Sequence, residues 1–93
     1  MTASERLLRY VSFDTQSNED SESCPSTDKQ RSFGAALVEE MLALGIRDAR
    51  MDQDGYIYGT VPGRSDAPVI GLIAHMDTSP ACSGANVRPR IVE

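Results

Sequence analysis

Leu7, Leu8 and Val11 open the hydrophobic pattern of the chain at i, i+1 and i+4, with Glu5, Arg6 and Arg9 mainly outside the stripe. This spacing predicts a short amphipathic helix over 3–12, with Ser4 as its N-cap. Residues 14–26, DTQSNEDSESCPS, break the pattern with four acids and no base, and read as a loop. In its plain reading the loop is a solvated connection. An acidic metal site would need a fixed geometry that a serine-rich loop does not supply, yet long connections in small domains often border sites. The apolar rhythm returns with Phe33, Leu37, Met41 and Leu44 at i, i+4, i+8 and i+11, widened by Ala36 and Val38. That is a second helix with an apolar face made for a core rather than for a cofactor. Thr27 with Gln30 forms a capping-box pattern at its start, Pro25 lies just outside, and Gly45 stands where a left-handed residue ends a helix.

Residues 46–61 read as a β-hairpin about the Asp54-Gly55 turn signal. Tyr56, Ile57, Tyr58, Thr60 and Val61 favour the second strand, whereas Ile46, Ala49 and Met51 mark the first less regularly. Pro62 to Asp66 form a polar turn. The next stretch differs in kind. Val69 to Ala74, VIGLIA, has no polar alternation, and a near-continuous apolar run is what a strand covered on both faces needs. Gly71 within it suggests close approach of a neighbouring backbone or helix. The run stops abruptly at His75-Met76-Asp77, at the kind of strand end where sites collect in open α/β sheets. Residues 86–93 could begin another strand, restricted by Pro89. The order helix, helix, hairpin, central strand predicts an α/β sandwich fragment with a mixed sheet, and the upstream elements read as scaffold for residues 69–75.

Composition narrows the function classes. At 93 residues the chain is one small domain or part of a larger one, 40% hydrophobic and 25% charged, with no Trp. A chain of this length buries only about 60–65% of its unfolded surface. The net charge of −5 and the lack of a basic stripe argue against nucleic acid as a partner. The N-terminus lacks the uninterrupted apolar run of a signal peptide or a membrane span. The 2 cysteines, Cys24 and Cys82, fit neither a disulfide framework nor a zinc finger, which makes the cytoplasm, with both thiols reduced, the expected compartment.

The chemistry concentrates at His75, the 1 histidine of the chain. Residues i and i+2 of an extended segment point to the same side, so His75 and Asp77 can converge on one ion or on each other. Imidazole suits zinc, and a carboxylate can ligate or hold the imidazole's other N–H. A hydrogen-bonded base without metal is the alternative. A lone His-x-Asp is common by chance, and a catalytic zinc takes about three protein ligands, which the spacing alone does not provide. Cys82 could serve as a soft ligand but reads better as a small loop residue. Ser79 and Ser83 have no base pattern for nucleophilic catalysis, and Gly55, Gly59 and Gly63 form no phosphate cradle.

Longer motifs add a resemblance. Tyr10 to Ser17 (YVSFDTQS), Cys24 to Thr27 (CPST), Gly71 to Pro80 (GLIAHMDTSP), Cys82 to Gly84 (CSG) and the ending Ile91 to Glu93 stand in one order along nearly the whole chain. Together they resemble the dinuclear-zinc aminoacylase/carboxypeptidase clan, the M20 metallopeptidases, and within it the tripeptide aminopeptidases. The resemblance implies a three-layer α/β sandwich with a mixed sheet, of which residues 1–93 would be the N-terminal part of the catalytic domain. It implies two Zn²⁺ ions per complete active site, His75 as a ligand to one of them, and Asp77 as the carboxylate that orients His75. The substrate implied is a tripeptide that loses its N-terminal residue. The further ligands, the general-base glutamate and the lid domain of that family have no counterpart here. The chain is therefore expected to be an inactive fragment holding at most a partial metal site. Within the same clan, dipeptides or N-acyl amino acids are alternative substrates. A non-catalytic binding or oligomerisation module is an alternative of another class. A central strand with only two helices to cover it leads to the further expectation of a homo-oligomer, formed through an exposed sheet edge or by strand swapping.

Overall fold

The computed structural model describes residues 1–93. Two helices, α1 (Ala3–Tyr10) and α2 (Lys29–Ala43), are followed by an antiparallel two-stranded sheet of β1 (Arg50–Met51) and β2 (Ile57–Tyr58). This is a small α/β arrangement. No helix is long and apolar enough to cross a membrane.

Each element has a local cause. α1 begins at Thr2 rather than Ser4. The Thr2 hydroxyl accepts from the Glu5 backbone N–H at 3.2 Å, and the Glu5 carboxylate accepts from the Thr2 N–H at 2.6 Å, which closes a capping box. At α2 the expected box does not form. Gln30 Nε2 donates to Thr27 Oγ1 at 3.0 Å, and the Thr27 hydroxyl donates away to the Gln16 carbonyl at 2.9 Å. Asp28 takes the N-cap position without a side-chain bond. The Thr27 oxygen thus accepts from the Gln30 side chain rather than from a backbone N–H of the helix. Gly45 follows the helix with φ +93°, the predicted left-handed terminator.

The hairpin forms where expected but with a wider turn. Met51 pairs with Ile57, the Asp52 N–H donates to Tyr56 at 2.9 Å, and Gly55 takes φ +85°. This is a three-residue loop with a glycine bulge. The Asp52 carboxylate holds it, accepting from the N–H groups of Asp54 and Tyr56 at 2.9 Å each.

Phe33 on α2 is the one buried apolar side chain, 7% exposed. Tyr10 meets it edge-on with centroids 5.4 Å apart, and Phe13 lies tilted against it at 5.1 Å. α1 docks on α2 through polar groups. Glu40 accepts from Arg6 Nε at 3.0 Å and from the Tyr10 hydroxyl. Leu7 and Leu8, expected to face the core, are exposed instead. Next to Phe33 on α2, Gly34 allows the hairpin to close in. A β-carbon there would stand 2.8 Å from Met51 Sδ and 3.2 Å from Ile57 Cδ1.

The predicted central strand does not form. Residues 69–75 join no ladder, and Val69, Ile70, Leu72 and Ile73 are 84–101% exposed. A strand exists only through its partners, and no other segment of these 93 residues pairs with it. Residues 86–93 likewise form no strand. The accessible surface of 7693 Å² exceeds the roughly 5300 Å² expected of a compact chain of this mass. The radius of gyration, 15.2 Å, exceeds the expected value of about 12 Å. The three-layer sandwich is therefore not built by these residues alone.

Truncating the sole core ring should be costly. Phe33→Ala is expected to destabilise the chain by about 3 kcal/mol, read as a lowered urea midpoint.

The ion pairs set a pH window. The carboxyl of Glu40 is held below its ordinary 4.5, first by the Tyr10 hydroxyl and then by Arg6 and Arg9. Those of Asp14 and Asp48 are held below 3.8, first by hydrogen bonds from Lys29 and Thr60 respectively. Burial, then Glu40, pushes the Tyr10 phenol above 10.0. The carboxylates contribute stability above their unfolded-state values, which is lost as pH falls through the folded ones. Tyr10 contributes below its unfolded-state value, and that contribution is lost as pH rises. The urea midpoint should form a plateau from about pH 5 to 9 and drop on both sides, with a shallower acid limb in Glu40→Gln.

Candidate metal-ligand site

Met76 stands between the two candidate residues. Its methyl lies 3.8 Å from the position of a Gly34 β-carbon, so this side chain is tucked toward α2 and the hairpin. His75 and Asp77, its neighbours on either side, fall on the other face, as period-two alternation requires. They meet there. His75 Nδ1 lies 3.1 Å from Asp77 Oδ1 and 2.9 Å from the Asp77 carbonyl oxygen. Both are acceptors, so Nδ1 must carry the ring proton and donate it. Nε2 has no partner, on a side chain that is 85% exposed. The predicted convergence of the two residues is thus present, and the ring is neither packed in the core nor turned away from solvent.

A cleft of about 360 Å³ opens beside the pair. Tyr10, Phe13, Phe33 and Val87 give it apolar walls, and His75, Asp77 and Thr78 line it as well. A concavity of the same volume, about 360 Å³, lies where α1 meets α2. Its least exposed carboxylate, Glu40, is already engaged by Arg6 and Tyr10. It has no free chemistry comparable to the His75 imidazole.

The chain beyond Asp77 is tied to the loop that precedes α2. The Thr78 N–H donates to the Thr15 carbonyl at 3.0 Å, and the Ser17 N–H donates to the Thr78 carbonyl at 2.9 Å, which makes a parallel bridge between Gln16 and Thr78. The Ser17 hydroxyl reinforces it at 2.8 Å, and Gln16 Nε2 reaches the Pro80 carbonyl at 3.0 Å. Thr15, in a loop expected to be solvated, is only 4% exposed. Pattern reasoning missed these residues. The available signal was the length of the polar segment, which marked it as a possible neighbour of a site.

A metal would find a prepared imidazole here but not a complete cage. No three His, Cys, Asp or Glu side chains converge anywhere in the chain. Cys82 is exposed and unpaired, as is Cys24. His75 suits a metal ligand, with its Nδ1–H held by a carboxylate and Nε2 presented outward. One such donor cannot hold two ions.

The local structure is thus an α/β scaffold carrying a carboxylate-oriented histidine beside a half-open cleft. Sequence comparison gives the lineage. No family model matches the chain. The chain is 51% identical to peptidase T of Parabacteroides distasonis over 99% of its own length. It is 55% identical to peptidase T of Desulfitobacterium hafniense and 48% identical to that of a Geobacillus strain, each over 96% of its length. Across its 93 residues the chain is a homologue of peptidase T. It spans only 22–23% of the length of these relatives.

The paired acceptors at Nδ1 make the ring state measurable. In ¹⁵N spectra the neutral His75 ring should be predominantly the Nδ1–H form, and Asp77→Ala should shift it toward the Nε2–H form.

Proposed function

We propose that these residues form the start of the metal-binding half of a zinc-dependent aminopeptidase that releases the N-terminal residue from tripeptides. The observation that carries this reading is the His75–Asp77 contact, set in a sequence that aligns along 96–99% of its length with peptidases T. In this reading His75 offers Nε2 to one zinc, and Asp77 holds the ring in the required tautomer and orientation. Bound zinc would supply Lewis acidity toward water and the peptide carbonyl. Residues outside this chain would supply the other ligands and the proton-transfer group. The exposed Val69–Ile73 segment fits the same reading as a strand awaiting its neighbours in the sheet. Until these are supplied, its apolar side chains favour self-association. The work of such an enzyme on peptides, and two exposed free thiols, fit the cytoplasm.

The test has two parts. The 93-residue chain alone should hydrolyse no tripeptide, and light scattering at tens of micromolar (an order-of-magnitude choice) should show species larger than a monomer. In a full-length peptidase carrying this sequence, His75→Ala should weaken zinc binding and abolish turnover. Chelator-sensitive hydrolysis by the short chain, or unchanged zinc binding in the His75 variant, would refute this assignment.

A further inference from the structure

The loop between α1 and α2 carries an acid that the proposed chemistry does not use. Asp14 Oδ1 accepts from the Gln16 N–H at 3.1 Å, and Oδ2 accepts from Lys29 Nζ at 2.9 Å. The first bond folds residues 14–16 into an Asx-type turn. That turn directs the Thr15 carbonyl and the Ser17 N–H toward Thr78. The second ties the turn to the first residue of α2. Thr27, just before α2, holds the same turn through the Gln16 carbonyl at 2.9 Å. On the other side, Gly84 lies so close that a β-carbon would stand 2.8 Å from Asp14 Oδ1 and 3.2 Å from Thr78 Oγ1. Asp14 is therefore pinned from three directions, and Thr78, the residue after Asp77, is what the resulting turn grips.

The geometry points to Asp14 as a positioning residue for the His75–Asp77 pair. It touches neither residue. Its turn sets the backbone of Thr78 and, through it, the carbonyl and carboxylate of Asp77 that both receive the His75 proton. The polar loop then acts as a latch between α2 and the candidate ligand. In catalytic terms the inference rests on the metallopeptidase reading above, but its structural content does not. The active feature is the Oδ1 acceptor rather than the charge. Asparagine can reproduce it and leucine cannot. The ion pair with Lys29 is partly exposed and adds little by comparison.

Two measurements separate the latch from the enzyme assignment. In the ¹⁵N-labelled 93-residue chain, Asp14→Leu should shift the His75 ring toward the Nε2–H form and reduce hydrogen-exchange protection of the Thr78 and Ser17 amides, while Asp14→Asn restores both. Gly84→Ala, which crowds the same oxygen from the opposite side, should act like Asp14→Leu with the helical circular dichroism unchanged. It carries the test should Asp14→Leu fail to fold. In a full-length peptidase titrated with zinc alone, Asp14→Leu should weaken binding about 10-fold or more, again with rescue by asparagine. His75 ring signals identical in wild type, Asp14→Leu and Gly84→Ala would overturn the latch. Loss of the ring signature together with zinc binding indifferent to His75→Ala would leave the latch standing and remove the metallopeptidase reading instead.

Discussion

Two backbone hydrogen bonds, one received by Thr15 and one given by Ser17, fix Thr78 across 61 residues of chain. Most of what is ordered around the candidate ligand depends on them. Beyond this bridge, the segment after Val61 meets the rest of the molecule through Met76 near Gly34, the Pro80 carbonyl on Gln16 and the backbone of Gly84 beside Asp14. With the bridge, His75 and Asp77 are held beside the Phe33 cluster, at a cleft walled by aromatic rings. The bridge is short, and its strength comes from what anchors its two sides. Asp14 and Thr27 fasten the loop to α2, while the Ser17 hydroxyl and the Gln16 amide fasten it to residues 78–80. A nearly dry Thr15 at its centre keeps water from competing for the backbone groups.

The rest of the molecule shows what happens where such anchoring is missing. Residues 69–73 are the most apolar stretch of the chain and also among the most exposed. Hydrophobicity drives burial only when there is something to be buried against. Two helices and a two-stranded sheet with a single buried ring do not supply a surface broad enough. The peptidases T that match this sequence are more than four times as long, the chain covering 22–23% of them, so an apolar strand in such a setting has many more segments available to it. The exposed run is thus a set of apolar groups that nothing within these 93 residues covers.

Local sequence predicted local structure well where the determining forces were short in range. The Phe33, Leu37, Met41, Leu44 stripe and the terminating Gly45 marked α2, and Asp54-Gly55 marked the hairpin. The errors arose where a side chain had a better offer from far away. Thr27 had the pattern of a cap, but its oxygen accepts from the Gln30 side chain and its hydroxyl donates to Gln16 in the preceding loop. Leu7 and Leu8 had the pattern of a buried stripe, yet α1 docks through Arg6 and Tyr10 on Glu40. The loop of residues 14–26 read as solvated because its composition is polar, and composition does not reveal that its amides and carbonyls would be matched by Thr78.

By itself the sequence determined the helices, the turn, and the juxtaposition of His75 with Asp77, because each follows from spacing over a few residues and from the alternation of an extended chain. Only the tertiary structure decided which proton the imidazole carries, which loop grips its neighbour, and that the apolar run stays unpaired. Those outcomes depend on hydrogen-bond acceptors and surfaces brought together across tens of residues. No periodicity along the chain encodes them.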